Sequence, residues 1–206
     1  MLKVNNISFG YHRDYWIFDE ISLELKPGEV LGLYGSSGIG KTTFAKVVAG
    51  YLKADKGSIV VDGKTPLQKG RNPVQLIGQH PEKTINPRWL MKQVLKESGD
   101  FSAEFLQELG ISQEWMQRYP SQLSGGELQR FCLARALVPE TRYLIADEMT
   151  TMLDAITKAQ IWETVLQLVE QHQLGMLVIS HELSLLEKTC DRILDFQELS
   201  GGSSAF

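Results

Sequence analysis

The stretch GSSGIGKTT, residues 35–43, places a lysine and two threonine hydroxyls directly behind a run of small residues. It satisfies G-x-x-x-x-G-K-[ST], the spacing of a phosphate-cradling loop. Gly38 and Gly40 permit dihedrals and a close approach that a side chain would block, so backbone N–H groups from Ser37 to Thr42 can wrap a β-phosphate. Lys41 supplies a point charge to the β and γ oxygens, and the Thr42 hydroxyl is placed to ligate Mg²⁺. The nucleotide segment is therefore Gly35, Ser36, Ser37, Gly38, Ile39, Gly40, Lys41, Thr42 and Thr43. The competing reading is a glycine-rich turn that happens to contain Lys and Thr.

A second group of reactive residues is YLIADE, 143–148. A carboxylate at the end of a buried strand is costly unless it serves a cation, and Asp147 can do so through Mg²⁺-bound water. Glu148 then projects toward the γ-phosphate, where it can accept a proton from an attacking water. Either acid alone could instead cap the next helix.

The third is Ser124-Gly125-Gly126-Glu127 at the mouth of a helix. Its S-x-x-E spacing is a capping box, in which Ser124 accepts from the Glu127 N–H and Glu127 reaches back. The box does not explain two glycines, each costing up to about 1 kcal/mol relative to alanine in a helix. The expectation is that they leave N–H groups uncovered for an anion arriving from outside the chain.

These residues need a frame that holds them. Residues 1–34 read as strands, with Ile21, Leu23 and Leu25 alternating before the Pro27-Gly28 turn, and VLGLY (30–34) continuously apolar. From Lys41 the period changes: Phe44, Val47, Val48 and Tyr51 fall on one helical face, with Gly50 near the end. SIVV runs into the Asp62-Gly63 turn. Between about Pro81 and Val138 the pattern is mainly helical, with Phe105, Leu106 and Leu109 on one face and Gly110 as a stop. This predicts an inserted helical lobe, roughly 81–138, within one domain spanning 1–206. YLIAD (143–147), a helix through Ile161, Val165, Leu168 and Val169, and MLVIS (176–180) complete an α/β pattern with a parallel sheet covered on both faces. There is no internal repeat, and the tail SGGSSAF is expected to fray.

Composition narrows the class. With 206 residues, 43% hydrophobic and 22% charged, the chain can bury a core without crosslinks. Its apolar runs fall short of the roughly 20 residues that span a bilayer. The start, MLKVNNISFG, carries no secretory pattern, so the chain is expected to stay in the cytosol. Cys132 and Cys190, flanked by apolar residues, read as buried thiols. A net charge of −4 without a long basic stripe argues against nucleic acid as principal partner.

Taken together, LSGGELQR (123–130) resembles the signature motif of ATP-binding-cassette (ABC) ATPases, and the other motifs arrive in that family's order. These are the phosphate loop, a glutamine linker at Gln79 in LIGQHPE, the signature, and the acidic pair Asp147 and Glu148. After them come TTMLDA, similar to the D-loop with Leu153 and Asp154, and VISHE, similar to the switch histidine at His181. The resemblance covers nearly the whole chain and implies a P-loop NTPase core with an N-terminal antiparallel β subdomain and a helical lobe. It implies a head-to-tail dimer in which each ATP lies between one phosphate loop and the partner's signature. Ser124 and Gly126, with Gly125 and Glu127 beside them, would then face the partner's ATP, and Asp154 would touch the opposite subunit, although it could equally be a helix cap.

Carried over in the same way, Tyr11 resembles the aromatic that stacks on adenine, the alternative being a strand-core tyrosine. Gln79 would ligate Mg²⁺ alongside Thr42 and Asp147 and sense a transmembrane partner; His181 would hold the γ-phosphate and orient Glu148. His12 and His172 have no motif around them and read as surface residues.

INPRW (85–89) and the cysteine-containing RFCLARAL (130–137) resemble importers of peptides, nickel and metal–opine complexes, most of all the second ATP-binding subunit of nickel importers. Otherwise Pro87 breaks a helix and Trp89 fills the lobe's core. The sequence departs from the family at His80, where an acid is common, at Ala146, and in lacking a C-terminal extension; the last weakens the peptide assignment. The partners implied are two integral membrane permease subunits, a second related ATPase, identical or not, and indirectly an extracytoplasmic binding protein. The place implied is the cytoplasmic face of the membrane, peripherally. The alternative is a soluble ABC ATPase, such as one of iron–sulfur assembly.

Overall fold

A computed structural model describes residues 1–12, 15–65 and 70–200. In chain order the strands and helices are β1 (Leu2–Phe9), β2 (Phe18–Leu25), β3 (Val30–Tyr34), α1 (Lys41–Val48), β4 (Lys56–Val61), β5 (Val74–Ile77), α2 (Met91–Ser98), α3 (Ala103–Glu108), α4 (Gly125–Ala136), β6 (Tyr143–Asp147), α5 (Ala155–Gln171), β7 (Gly175–Ser180), α6 (Leu183–Thr189), β8 (Arg192–Asp195) and α7 (Phe196–Leu199). All of the tail SGGSSAF beyond Ser200 lies outside the described residues.

The chain divides into two units, Met1–Leu76 with Glu140–Asp147 and the residues from Val169 onward, and Ile77–Pro139 with Glu148–Leu168. In the first unit β2, β1 and β4 form an antiparallel sheet, with Leu2 paired to Leu25 and to Val61. The alternation read at Ile21, Leu23 and Leu25 puts all three inward. The second sheet runs β5-β6-β7-β3-β8, and the β6–β7, β7–β3 and β3–β8 pairs are parallel. Its strands β6 and β7 are buried along their whole length, as their apolar sequences require of a sheet covered on both faces.

Helix α1 is short for a physical reason. Gly50, at φ 77°, adopts the left-handed conformation, its N–H bonds to Val47 O at 3.0 Å, and the Tyr51 N–H bonds to Lys46 O at 2.8 Å. This pair of hydrogen bonds ends a helix and turns the chain away. Tyr51, expected on the buried stripe, is consequently 67% exposed, while Phe44, Val47 and Val48 are buried. Phe44 anchors the helix in an aromatic cluster, with ring centroids 5.6 Å from Phe18 and 5.7 Å from Phe196. Phe44 is fully buried, so Phe44→Ala is expected to cost about 3–5 kcal/mol of stability, to be read from the denaturation midpoint and slope in urea.

In the second unit Ile161, Val165 and Leu168 of α5 are buried. The partly buried Arg135 of α4 donates to Thr84 O and to the Glu97 carboxylate, both at 2.9 Å. The loop carrying Pro87 is a turn rather than a broken helix: Asn86 Oδ1 accepts from the Arg88 N–H and Asn86 O from the Trp89 N–H. Trp89 is half-buried there. Cys132 is buried, and burial pushes its thiol up from the ordinary range; Cys190, expected to be buried, is only partly so.

Candidate functional site

Three neighbouring strands of the parallel sheet end side by side. Tyr34, the last residue of β3, is in register with Ser180, the last of β7, and Asp147, the last of β6, with Ile179. The phosphate loop leaves β3 at this edge, Asp147 ends there, and His181 follows β7. The carboxyl edge of a parallel sheet is where ligands bind in open α/β folds. Asp147 and Ser180 are buried polar residues at this edge, and Lys41 is 5% exposed. The Ser180 hydroxyl accepts from the Glu182 N–H at 3.0 Å, which shapes the turn and leaves His181 exposed.

The loop itself is held open by its glycines. Gly38 and Gly40 have φ of 86° and 105°, unfavourable for side-chain-bearing residues. A Cβ on Gly40 would meet the Ile17 Cγ2 at 2.6 Å, whereas one on Gly38 would meet nothing within 4 Å. Gly40 therefore lets the loop seat against Ile17, and Gly38 faces open space. The Lys41 ammonium donates to the carbonyls of Gly35 and Ser36, both at 2.7 Å, which fixes its position at the loop. Thr42 is exposed at the start of α1, whose N-terminus adds partial positive charge.

Glu148 has φ of 50°, in the left-handed region where a residue with a Cβ costs about 1–2 kcal/mol. Such outliers persist when their surroundings over-determine them. Here the following turn is pinned from within: Thr151 Oγ1 donates to the Glu148 carboxylate at 3.5 Å, and the buried Trp162 Nε1 donates to Thr150 Oγ1 at 3.0 Å. At the turn's end Asp154 caps α5, its Oδ1 accepting from the N–H groups of Ile156 and Thr157 at 3.1 and 3.0 Å. Those bonds, with one from the Thr157 hydroxyl, hold its carboxyl below the usual range.

The capping box at the head of α4 is present in full. Ser124 Oγ accepts from the Glu127 N–H at 3.3 Å, and Glu127 Oε2 from the Ser124 N–H at 2.6 Å. An external anion is not the whole explanation of the two glycines, however. Gly125 is exposed, but Gly126 is buried, and a Cβ on it would lie 2.4 Å from Cγ2 of Thr157. Close packing within the chain demands glycine at 126. Thr157 carried only one signal in the sequence, its position three residues after Asp154.

Tyr11 lies in the β1–β2 connection and is 60% exposed, not a strand-core residue; its ring meets Phe9 edge-on at 5.1 Å. Nearby, Trp16 carries Lys56 Nζ 4.6 Å from its ring centroid, a pair that sequence patterning did not single out. The connection is tight, because a Cβ on Gly10 would strike Tyr15 O at 2.3 Å. Gln79 follows β5 in the second unit and is half-buried, and His80 pairs with Glu82 at 3.1 Å. His12 and His172 are exposed.

The donor set suits a nucleotide with a hard cation. Thr42 and Asp147 offer oxygens, and among the described residues no cluster of three or more His, Cys, Asp or Glu forms a protein-only metal site. A divalent ion here would share its ligands with phosphate oxygens and water, as Mg²⁺ does.

The profile of the family described as ABC transporter matches residues 18–151. The nickel import system ATP-binding protein NikE of Staphylococcus aureus (strain bovine RF122 / ET3-1) is 31% identical, the alignment covering 94% of this chain and 85% of that protein. NikE of strain N315 is 32% identical over the same shares. Among solved structures, cbiO1 from Clostridium perfringens, part of the ABC transporter complex cbiONQ, aligns over 94% of this chain and 83% of its own, with TM-score 0.78 and 22% identity. The ATP-binding cassette MJ0796, in a dimeric post-hydrolysis state bound to ADP and Pi, aligns over 95% and 94%, with TM-score 0.77 and 22% identity.

Proposed function

Since the chain belongs to the ABC transporter family, as an ATP-binding subunit with ATPase relatives, we propose that it hydrolyses ATP to drive import of nickel or a nickel complex. The observation that carries the ATPase part is the convergence of the phosphate loop, Asp147 and His181 on three adjacent strand ends. The 31% identity to NikE along 94% of the chain supports the cargo.

In this reading, N–H groups of the loop and the Lys41 ammonium hold the β- and γ-phosphates, and Tyr11 stacks on the adenine. Thr42, Asp147 and Gln79 would hold Mg²⁺, which when bound neutralises charge on the phosphate oxygens. The Glu148 carboxylate takes a proton from a water as its oxygen bonds to the γ-phosphorus and the bond to the β-bridging oxygen breaks, giving ADP and phosphate. His181, exposed past β7, orients this arrangement. Ser124, Gly125, Gly126 and Glu127 face the ATP of a second ATPase, identical or related, and Asp154 touches that subunit. Among the described residues no helix is long and apolar enough to cross a membrane, so the path for the cargo comes from permease subunits, fed by an extracytoplasmic binding protein, with this chain peripheral on the cytoplasmic side.

Radioactive nickel uptake is the test. Cells lacking this chain are expected to lose ATP-dependent uptake and regain it with the restored gene, and the chain is expected to co-purify with integral membrane subunits. Undiminished nickel uptake, with loss of peptide uptake instead, would overturn the cargo. Absence of any membrane partner would favour a soluble ATPase.

A further inference from the structure

Gly126, at the head of α4, and Thr157, in the first turn of α5, meet so closely that an added Cβ on the glycine would lie 2.4 Å from the threonine methyl. That methyl is one arm of a side chain whose other arm is engaged elsewhere, since the Thr157 hydroxyl and N–H both bond to Asp154. Leu153, the residue before Asp154, reaches the other glycine, with Cδ2 3.3 Å from where a Cβ of Gly125 would stand. The turn is closed behind by the buried bond from Trp162 to Thr150.

We infer that Thr157 is a positioning residue that couples the Asp154 carboxylate to the Ser124–Glu127 backbone, so that the two move as one piece. The inference rests on the proposed function in one respect, namely that both ends of this piece face a second subunit. The physical argument is independent of it. Close-packed contacts transmit displacement because they cannot be compressed, and a methyl lodged over a glycine leaves the head of α4 no room to move toward α5. The hydroxyl ties that methyl to the Asp154 cap, so a shift of the carboxylate is passed to the N–H groups of Gly125 and Gly126.

Moving one methyl across the contact tests this. Gly126→Ala in an ordinary helical position stabilises, because glycine is the poorer helix former. Here it overpacks, and the thermal midpoint of the chain is expected to fall by about 4–8 °C. Thr157→Ser removes the obstructing Cγ2 and keeps the hydroxyl, so in that background the same alanine is expected to raise the midpoint. Additive effects, with Gly126→Ala lowering both backgrounds equally, would overturn the contact.

The functional arm uses the complex with its permease and partner ATPase. Thr157→Ser alone is expected to raise the KM for ATP about fivefold with kcat nearly kept, since the mouth is loosened but the reacting groups are intact. ATP affinity of the isolated chain should be unaltered. A KM unmoved by Thr157→Ser would overturn the positioning role. If the unaltered complex failed to turn over Mg-ATP, the functional reading would fall, while the midpoints would still decide the coupling.

Discussion

Glu148→Gln is expected to lower ATP turnover by about two to four orders of magnitude, the usual contribution of a general base, with ATP affinity nearly unaltered. The substitution is clean because glutamine matches glutamate in size and has the same difficulty with the φ of 50° at this position. Any loss is then assignable to the carboxylate's ability to accept a proton, and not to a backbone that has relaxed. Glu148→Gly would confuse the two, since glycine relieves the backbone as it removes the base. With hydrolysis blocked, the ATP-bound dimer should accumulate and be visible by size-exclusion chromatography with ATP. Hydrolysis at the wild-type rate would remove Glu148 from its assigned role.

Ser124→Arg separates the chain's own nucleotide from its partner's. Ser124 caps α4 and is exposed at its head. Arginine forfeits the cap, at about 1 kcal/mol, and sets a long cation where a second subunit's phosphate is proposed to arrive. ATP binding by the isolated chain, which depends on Lys41 and its loop, should be unchanged. Turnover in the assembled complex should fall by about a hundredfold or more, as when a preorganised donor to a reacting phosphate is lost. Ser124→Asn is the control for folding, because asparagine caps as well as serine. Equal loss of binding in the isolated chain would contradict a site shared between subunits.

How much of this was legible beforehand depended on the range of the interaction. The phosphate loop, the acidic strand end and the capping box are local: each is read within nine residues, and the spacing of glycines, hydroxyls and carboxylates states its own chemistry. The alternation at Ile21, Leu23 and Leu25 and the apolar runs at 143–147 and 176–180 predicted strands for the same reason. Tyr51 misled because the helical period continued through Gly50, although the glycine's left-handed turn removes the tyrosine from the buried face. The second reason for Gly126 was invisible, because Thr157 lies thirty-one places further along in sequence and nothing in periodicity pairs a helix head with a threonine on another helix. Strand order was likewise hidden, since β3 inserts between β7 and β8, late segments of the chain.

The two carbonyl bonds to the Lys41 ammonium, from Gly35 and Ser36, bear on the thermodynamics of nucleotide capture. A free lysine side chain gives up about 1.5–2 kcal/mol of rotamer entropy when it is fixed, and here that loss belongs to folding and is not repeated at binding. Arginine in the same place would keep the charge but not the compact head that reaches two carbonyls. The free energy of ATP binding to this loop should accordingly carry little conformational-entropy penalty from the lysine.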